Sequence, residues 1–405
     1  MITSKKIRAY ALKNSIHYNG KANPSAIISA LFNEGLKKEK VKDIMPEIQK
    51  VIKEISKLSL DKQKKEFEKL EKQISEREVR EGLPELPNVP KSGVIMRFAP
   101  SPSGPLHIGH IISNMTSSMY VKKYKGKFCV RIEDTNPESI DPKAYANIKK
   151  DCDWIFGNVA EYIIQSDRMK IYYNYAEKLI NKKSAYVCTC SQEKFKEFSN
   201  FKQDCPCRNN DLKENLYRWK KMLDKKGYAE GQAVLRFKSD MKNPNPAMRD
   251  FPLARINETK HPRQKNKYRV WPLMNLSVTV DDIEYKMTHI IRGKDHADNA
   301  KRQKMIYKVL GLEKKFPWTF FMGRVKFTDL DLSKRKIAAK IKQGEYSGFD
   351  DIKLPTIAAL KKRGYKQETF AKFAEQRGLT EVDKVISQKD FFELLDNIQK
   401  KFNYL

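Results

Sequence analysis

A chain of 405 residues with 40% apolar and 32% charged side chains has material for two to four domains of roughly 100 to 200 residues and is too apolar for a disordered protein. Its 81 basic against 50 acidic side chains leave a formal charge of +31, which attracts polyanions and makes nucleic acid the leading class of partner. No signal-peptide core and no run of about 18 apolar residues occurs, so a cytoplasmic protein without a membrane span is expected, and six cysteines are too few for a disulfide scaffold.

Residues 1 to about 80 read as helices. AIISALFNEGL carries a helical apolar stripe, KVKDIMPEIQKVIKEISKL continues it with Pro46 as an interruption, and LDKQKKEFEKLEKQISEREVR is a charge-laced helix. Pro84, Pro87 and Pro90, three residues apart, predict an extended linker, so an N-terminal helical extension with its linker occupies residues 1–92. GVIMRFA and KFCVRIED are then strand-like runs on either side of a stretch of helical length, IISNMTSSMYVKKYKG, which together open a βαβ unit. This first half of an α/β region runs over 93–185. Residues 186–269 form an irregular insertion with a helix in DLKENLYRWKKMLDKKG, a strand in AVLRFK and the proline-rich KNPNPAMRDFPLAR. From 270 to 344, YRVWPLMNLSVTVDDIEYKMTHIIRGKDH restores strands, NAKRQKMIYKVLG reads as a helix and VKFTDLDLSKRKI as a strand feeding a polar loop. Helical patterns dominate 345–405.

The turn RFAPSPSGPLHIGH, residues 97–110, closes the first strand and opens the helix. Free backbone N–H groups at a helix start, with the helix dipole, favour phosphate. His107 and His110 are three residues apart and share a helical face, while Gly109 lets a flat ring approach the backbone. Two imidazoles facing a phosphate can donate hydrogen bonds to charge that develops during displacement at phosphorus.

This segment resembles the signature of class I aminoacyl-tRNA synthetases, specifically the glutamyl-/glutaminyl-tRNA synthetase group of archaeal and eukaryotic type. RIEDTNPESI, THIIRGKDH, LSKRK and FDDIKLPTIAALKKRG resemble further segments of that group in the same order, over about residues 93 to 375. The resemblance implies an α/β fold: a Rossmann-type HIGH-superfamily nucleotide-binding core in two halves, 93–185 and 270–344. An acceptor-end-binding domain is inserted at 186–269, and helical regions flank the core, the C-terminal one (345–405) contacting the tRNA stem. It further implies ATP with Mg2+ as cosubstrate, His107 and His110 on the transition-state phosphate, and Lys334 on the leaving pyrophosphate. Gly109, Asp295, Ser333 and Lys336 would stand beside ATP, and His289 and His296 remain structural.

For the amino acid, the resemblance assigns Glu133 to the ammonium with Ala99 and Ser101 beside it, Arg97 to a carboxylate, and Arg292 to the side chain. A γ-carboxylate suits a charged bidentate fork, whereas an amide carrying two donors does not. L-glutamate is therefore the expected substrate, with tRNA(Glu) as partner, tRNA(Gln) left open as a second, and tRNA required for the first step. Glutaminyl-tRNA synthetase is the nearest alternative and a catalytically weak tRNA-binding paralogue the more distant one. In this register Met274 stands where bacterial relatives place a tyrosine over the pocket, with Trp271 as a partial substitute.

Cys188-x-Cys190 and Cys205-x-Cys207, separated by fourteen residues, offer four thiolates, enough to close a structural tetrahedral zinc site with no position left for water. Cys129 and Cys152 read as core. Basic residues in KKMLDKKGY, AMRDFPLARINETKHPRQKNKYR and NAKRQK are expected to line an acceptor-stem groove. Archaeal-type relatives continue into two anticodon-reading β-barrels, whereas this sequence stops at Leu405. A missing C-terminal segment or a separate polypeptide would supply that recognition.

Overall fold

Apolar residues at helical spacing build the first part of the chain. The computed structural model describes residues 2–18, 20–75, 82–330 and 332–403, within two units, Met1–Arg80 and Glu81–Leu405. The first unit holds α1 (Ser4–His17), α2 (Pro24–Asn33), α3 (Val41–Ile55) and α4 (Leu60–Leu70). Thr3, Asn23 and Ser59 cap α1, α2 and α4 by accepting a backbone N–H in the first turn, each such cap contributing about 1 kcal/mol. Ile7, Leu12, Ile27, Leu31, Ile48 and Ile55 form the core. Pro46 does not stop α3. It lies in the second turn, where one hydrogen bond is forfeited, and Ile48, Val51 and Ile55 beyond it supply the packing that carries the helix on. Residues 76–80 of the expected last helix lie outside the described residues.

The second unit begins with the proline-rich segment, which it binds as its own. Tyr120 donates its hydroxyl to Pro84 O at 2.8 Å, Leu86 N–H donates to the Tyr124 hydroxyl at 3.0 Å, and His289 Nε2 meets Pro87 O at 2.8 Å. The first described break between units therefore precedes the linker. Next come β1 (Ile95–Phe98), α5 (Ile108–Lys123), β2 (Lys127–Ile132), α6 (Ala144–Phe156) and β3 (Val159–Ile164), the three strands forming one parallel sheet in the order β1-β2-β3. Gly126 lets the start of β2 approach β1: a Cβ there would stand 1.9 Å from Val94 O.

After α7 (Met169–Asn181), the inserted region is an antiparallel sheet. It is built from β4 (Ala185–Cys188), β5 (Val234–Phe237), β6 (Pro252–Ile256) and β7 (Val270–Pro272), with α8 (Gln192–Asn200) and α9 (Leu212–Leu223) between β4 and β5. The chain then returns through α10 (Met274–Glu284), β8 (His289–Gly293), α11 (Ala297–Val309) and β9 (Trp318–Met322), β8 and β9 being parallel. Thr288 joins the two parallel sheets. Its N–H donates to Ile95 O at 3.0 Å and its hydroxyl accepts from Ile95 N–H at 2.9 Å, which sets β8 beside β1 in the spatial order β3-β2-β1-β8-β9. The strand order reverses between β1 and β8, and in such sheets the crevice beyond the carboxyl ends of those strands is where ligands bind.

The remainder comprises β10 (Val325–Phe327), α12 (Lys334–Lys342), α13 (Ile357–Lys362), α14 (Gln367–Arg377), β11 (Lys384–Ile386) and α15 (Gln388–Asn403). Three expectations are corrected. Residues 274–284, expected among strands, are helical, because eight consecutive residues from Asn275 to Asp282 are buried and the amphipathic period is erased. LSKRK is less a loop than a helix start, with Ser333 at the N-cap and Lys334 first in α12. The C-terminal helices are interrupted by β11, which pairs in parallel with β10.

Candidate active site

The carboxyl ends of β1, β2 and β8 carry Arg97, Glu133 and Arg292. Arg97 is 6% exposed and forks onto Asp282 of α10, Nε to Oδ1 at 2.7 Å and Nη2 to Oδ2 at 3.1 Å. The same Asp282 accepts from Nη1 of the fully buried Arg131 at 2.6 Å, and Arg131 in turn bonds Glu133 Oε1 through Nη2 at 3.0 Å. Burial opposes ionisation of Asp282, yet Arg97 and Arg131 outweigh it and hold the carboxyl down to about 2. Burial likewise works against Arg131, and the Asp282, Glu133 and Asp281 carboxylates raise its pKa above the ordinary value regardless. One carboxylate thus orients both Arg97 and, through Arg131, Glu133. Such a chain of buried charges fixes geometry, and removing one partner would strand another at a cost of about 3–5 kcal/mol.

Arg292 is treated differently. Its Nη1 donates to Gln303 Oε1 at 2.9 Å, its Nε is buried without a hydrogen-bond partner, and burial followed by the charge of Arg97 lowers its pKa to about 10. It stays cationic at neutral pH, and among the described residues no carboxylate pairs with it. A half-buried guanidinium in that state is a receptor for an anion. Ala99 is half-buried and Ser101 exposed in the turn after β1, which is tied to β2 by Glu133 N–H donating to Pro100 O at 2.9 Å. Trp271 is buried with its ring stacked 4.8 Å from His261, and Met274 lies exposed at the start of α10. Trp271 is held there by the pairing of β7 with β6.

His107 and His110 lie across the end of β1, His110 with its ring 6.3 Å from Phe98. The two imidazoles are 3.8 Å apart. His107 Nδ1 accepts from Gly109 N–H at 3.1 Å and His110 Nδ1 accepts from His107 N–H at 3.2 Å, so the pair caps α5 from both directions. Burial pushes His107 down to about 3, helped by His110, and burial alone pushes His110 down to about 4. Both rings are therefore neutral at pH 7, and with Nδ1 accepting, each carries its proton on Nε2 as a hydrogen-bond donor. Ile108 N–H donates to Pro355 O and Ile357 N–H to Leu106 O, each at 2.9 Å, stitching this turn to the segment after α12.

Lys334 reaches the same turn. A Cβ on Gly104 would stand 2.5 Å from Lys334 Cδ and 3.1 Å from its Nζ, and one on Gly109 would stand 3.8 Å from Leu332 Cδ1. Ser333 is half-buried and Lys336 exposed in the same first turn of α12. Asp295 folds its carboxylate over Gly293 at the end of β8 and is exposed. His289 is buried against Pro87, in keeping with a structural part. His296 is half-buried, and burial followed by the charge of Arg292 lowers its pKa.

The cysteines converge as their spacing predicts. All four sulfurs lie within 4.8 Å of one another, Cys188 to Cys205 at 3.8 Å and Cys190 to Cys207 at 3.9 Å. Zinc–thiolate bonds of about 2.3 Å at tetrahedral angles require sulfurs about 3.8 Å apart, so the set fits zinc. Thr189 N–H and Arg218 Nη1 also point at Cys207 Sγ, at 3.4 and 3.7 Å. Cys129 and Cys152 are core. Of the arginines expected in an acceptor groove, Arg249 and Arg269 instead turn inward and bond main-chain carbonyls, Arg249 those of Asn243, Pro244 and Ser199, Arg269 those of Met222, Asp224 and Tyr228. Lys220, Lys260, Lys265 and Lys267 stay exposed.

Sequence reading missed Arg131, Asp282 and Gln303. Arg131 lies two residues before Glu133, a signal that was there to use. Asp282 and Gln303 are set in buried helical faces with no local cue.

Residues 93–400 match the family described as tRNA synthetases class I (E and Q), catalytic domain. The chain is 44% identical to a glutamate–tRNA ligase of Methanocaldococcus jannaschii over 99% of its own length and 72% of that protein. It is 41% identical to one of Thermococcus kodakarensis, over 93% of its length and 67% of the relative. A crystal structure of a glutamate tRNA ligase from Elizabethkingia meningosepticum in complex with its amino acid aligns with a TM-score of 0.55 at 20% identity, covering 76% of this chain and 69% of that one. At that identity the likeness speaks to the fold.

Proposed function

The chain belongs to the class I tRNA synthetase family whose catalytic domains serve glutamate and glutamine, and from this membership we propose that it is a glutamate–tRNA ligase, with glutamate, ATP and tRNA(Glu) as substrates. A carboxylate oxygen of L-glutamate attacks the α-phosphorus of ATP, the bond to the bridging oxygen breaks and pyrophosphate leaves. The 2′-hydroxyl of the terminal adenosine of tRNA then attacks the carbonyl carbon of the mixed anhydride and expels AMP.

The observation that carries the choice of amino acid is Arg292, a cation with an unpartnered, buried Nε and no carboxylate of its own. Glutamate supplies that carboxylate, whereas glutamine would set a carboxamide against it. Glu133 receives the ammonium, Arg97 a carboxylate oxygen through the part of its fork that Asp282 leaves, and Ala99 and Ser101 line the floor. His107 and His110 donate from Nε2 to phosphate oxygens, where neutral donors stabilise charge that grows in the transition state. Lys334 holds pyrophosphate, Ser333 and Lys336 flank it, Gly109 admits the nucleotide, and Asp295 stands at the ribose. Mg2+ accompanies ATP and neutralises phosphate charge. Cys188, Cys190, Cys205 and Cys207 would hold zinc, whose role is to brace the inserted sheet that meets the acceptor end.

The test is pyrophosphate exchange with glutamate or glutamine, with and without tRNA, on wild type and Arg292→Gln. Loss of charge-assisted hydrogen bonds worth about 1.5–3 kcal/mol predicts a fall of roughly 10- to 150-fold in kcat/KM for glutamate, with the KM for ATP nearly unchanged. Equal losses for glutamate and ATP would overturn the assignment.

A further inference from the structure

The turn that joins β6 to β7, residues 257–269, has two unlike faces. Outward, Lys260, Arg263, Lys265 and Lys267 are exposed. Inward, His261 is wholly buried, its ring stacked 4.8 Å from that of Trp271. His261 Nδ1 accepts from Arg263 N–H and from Gln264 N–H, each at 3.0 Å, and a ring nitrogen that accepts carries no proton. The ring proton therefore sits on Nε2, which donates to Asp134 O at 3.0 Å. Asp134 follows Glu133 directly in the chain and is itself wholly buried. Other groups hold its carboxylate: Ser166 through N–H and hydroxyl, Tyr145 through its hydroxyl, at 2.7 to 2.8 Å. Among the described residues, His261 alone bonds its carbonyl. Neighbouring contacts follow the same strip, Asn257 Nδ2 donating to Glu138 Oε1 at 2.8 Å and Arg255 Nη2 to Asn136 Oδ1 at 3.0 Å. The inserted sheet thus rests on residues 134–138 and grips the main chain one residue past Glu133.

We infer that His261 is a positioning residue for the amino-acid site: by fixing the carbonyl of Asp134 it sets the orientation in which Glu133 presents its carboxylate. The inference rests on the reading of Glu133 as the ammonium receptor and adds to it a residue from another part of the fold. Glu133 is already anchored on one side, where its N–H donates to Pro100 O and Arg131 Nη2 bonds its Oε1. With His261 on the next carbonyl, the backbone is pinned on both sides of the carboxylate. A shift of about 1 Å in a group that orients a substrate can cost on the order of 100-fold. His261 acts through Glu133, so its loss falls on glutamate and spares ATP.

Pyrophosphate exchange with tRNA(Glu) present tests this on His261→Asn and His261→Gln, which divide the two duties of the ring. The Asn oxygen takes the place of Nδ1 and keeps the amides of the turn bonded, but the side chain is too short to reach Asp134 O. The Gln NH2 extends to the place of Nε2 and keeps that bond. With His261→Asn the KM for glutamate is expected to rise roughly 10- to 100-fold and the KM for ATP to stay within about twofold, while His261→Gln returns the glutamate KM to within about fivefold of wild type. Added to Glu133→Gln, His261→Asn is expected to cost little more, since both act through one carboxylate. The reverse rank, Asn near wild type and Gln impaired, would overturn the inference by showing that the ring serves the turn alone. So would equal rises in both KM values, unchanged kinetics in both variants, fully additive losses in the double variant, or a melting midpoint that collapses in both single variants, the mark of a purely architectural part. An unaltered glutamate KM in Glu133→Gln would instead sink the underlying reading of Glu133.

Discussion

His107 and His110 are worth more neutral than charged. Their folded pKa values, about 3 and about 4, lie below the usual value near 6.5, so between about pH 6.5 and 4 the unfolded chain binds protons that the folded chain refuses. The stability these groups contribute is complete above pH 6.5 and is lost as the pH falls through the folded values, about 4 for His110 and about 3 for His107. A His107→Asn, His110→Asn variant is therefore expected to show a flatter fall in stability over that window than wild type, measured by urea midpoints at several pH values. Parallel curves would show that the imidazoles titrate normally. The two histidines were legible because one short turn displays both of them with the glycine between. Gln303 and Asp282 were not, because what defines them is a partner from another element: Gln303 meets Arg292 from β8, and Asp282 meets Arg97 and Arg131 across 185 and 151 residues of chain.

Among the elements, the contact between α12 and the turn before α5 joins two distant stretches into the proposed phosphate site. Gly104 leaves the space that Lys334 occupies. Gly104→Ala is expected to preserve thermal stability, since the flexible lysine stem yields, while displacing Nζ and slowing glutamate-dependent exchange by roughly 10- to 100-fold. Full activity in that variant would place the working position of Lys334 elsewhere. The strands β1, β2, β5 and β8 and the helices α5, α9 and α11 were readable from period and length. The helix α10 was not: SVTVDD supplies β-branched residues in a row, and burial on every side removed the polar face that would have declared a helix. The short β11, three residues with Val385 exposed, offers too little pattern to be seen.

At the scale of the whole chain, the second unit holds two large apolar cores, one around the parallel strands and one around the antiparallel sheet, and a small cluster in which Tyr186, Phe195 and Met241 pack with the cysteines. That small cluster has little apolar surface with which to hold itself, so the proposed metal carries much of its order. Chelation is expected to lower the thermal midpoint and open residues 189–210 to protease, with restoration by one equivalent of zinc. An unchanged melt in metal-free protein would refute the metal site. Charge alone pointed correctly to a polyanionic partner, yet it could not tell a lysine facing water from an arginine turned inward. Arg249 spends its donors on carbonyls of its own chain, and Arg269 on carbonyls and the Glu258 carboxylate.

The main-chain crossing of residues 106–108 with 355–357 is a weld between the turn that carries both histidines and the stretch that leads into α13. Side chains can swing past one another, but a pair of backbone links at 2.9 Å moves as a single piece. A displacement of the chain entering α13 is therefore expected to carry the turn that holds both imidazoles with it, which would couple any partner held on that flank to the proposed phosphate site.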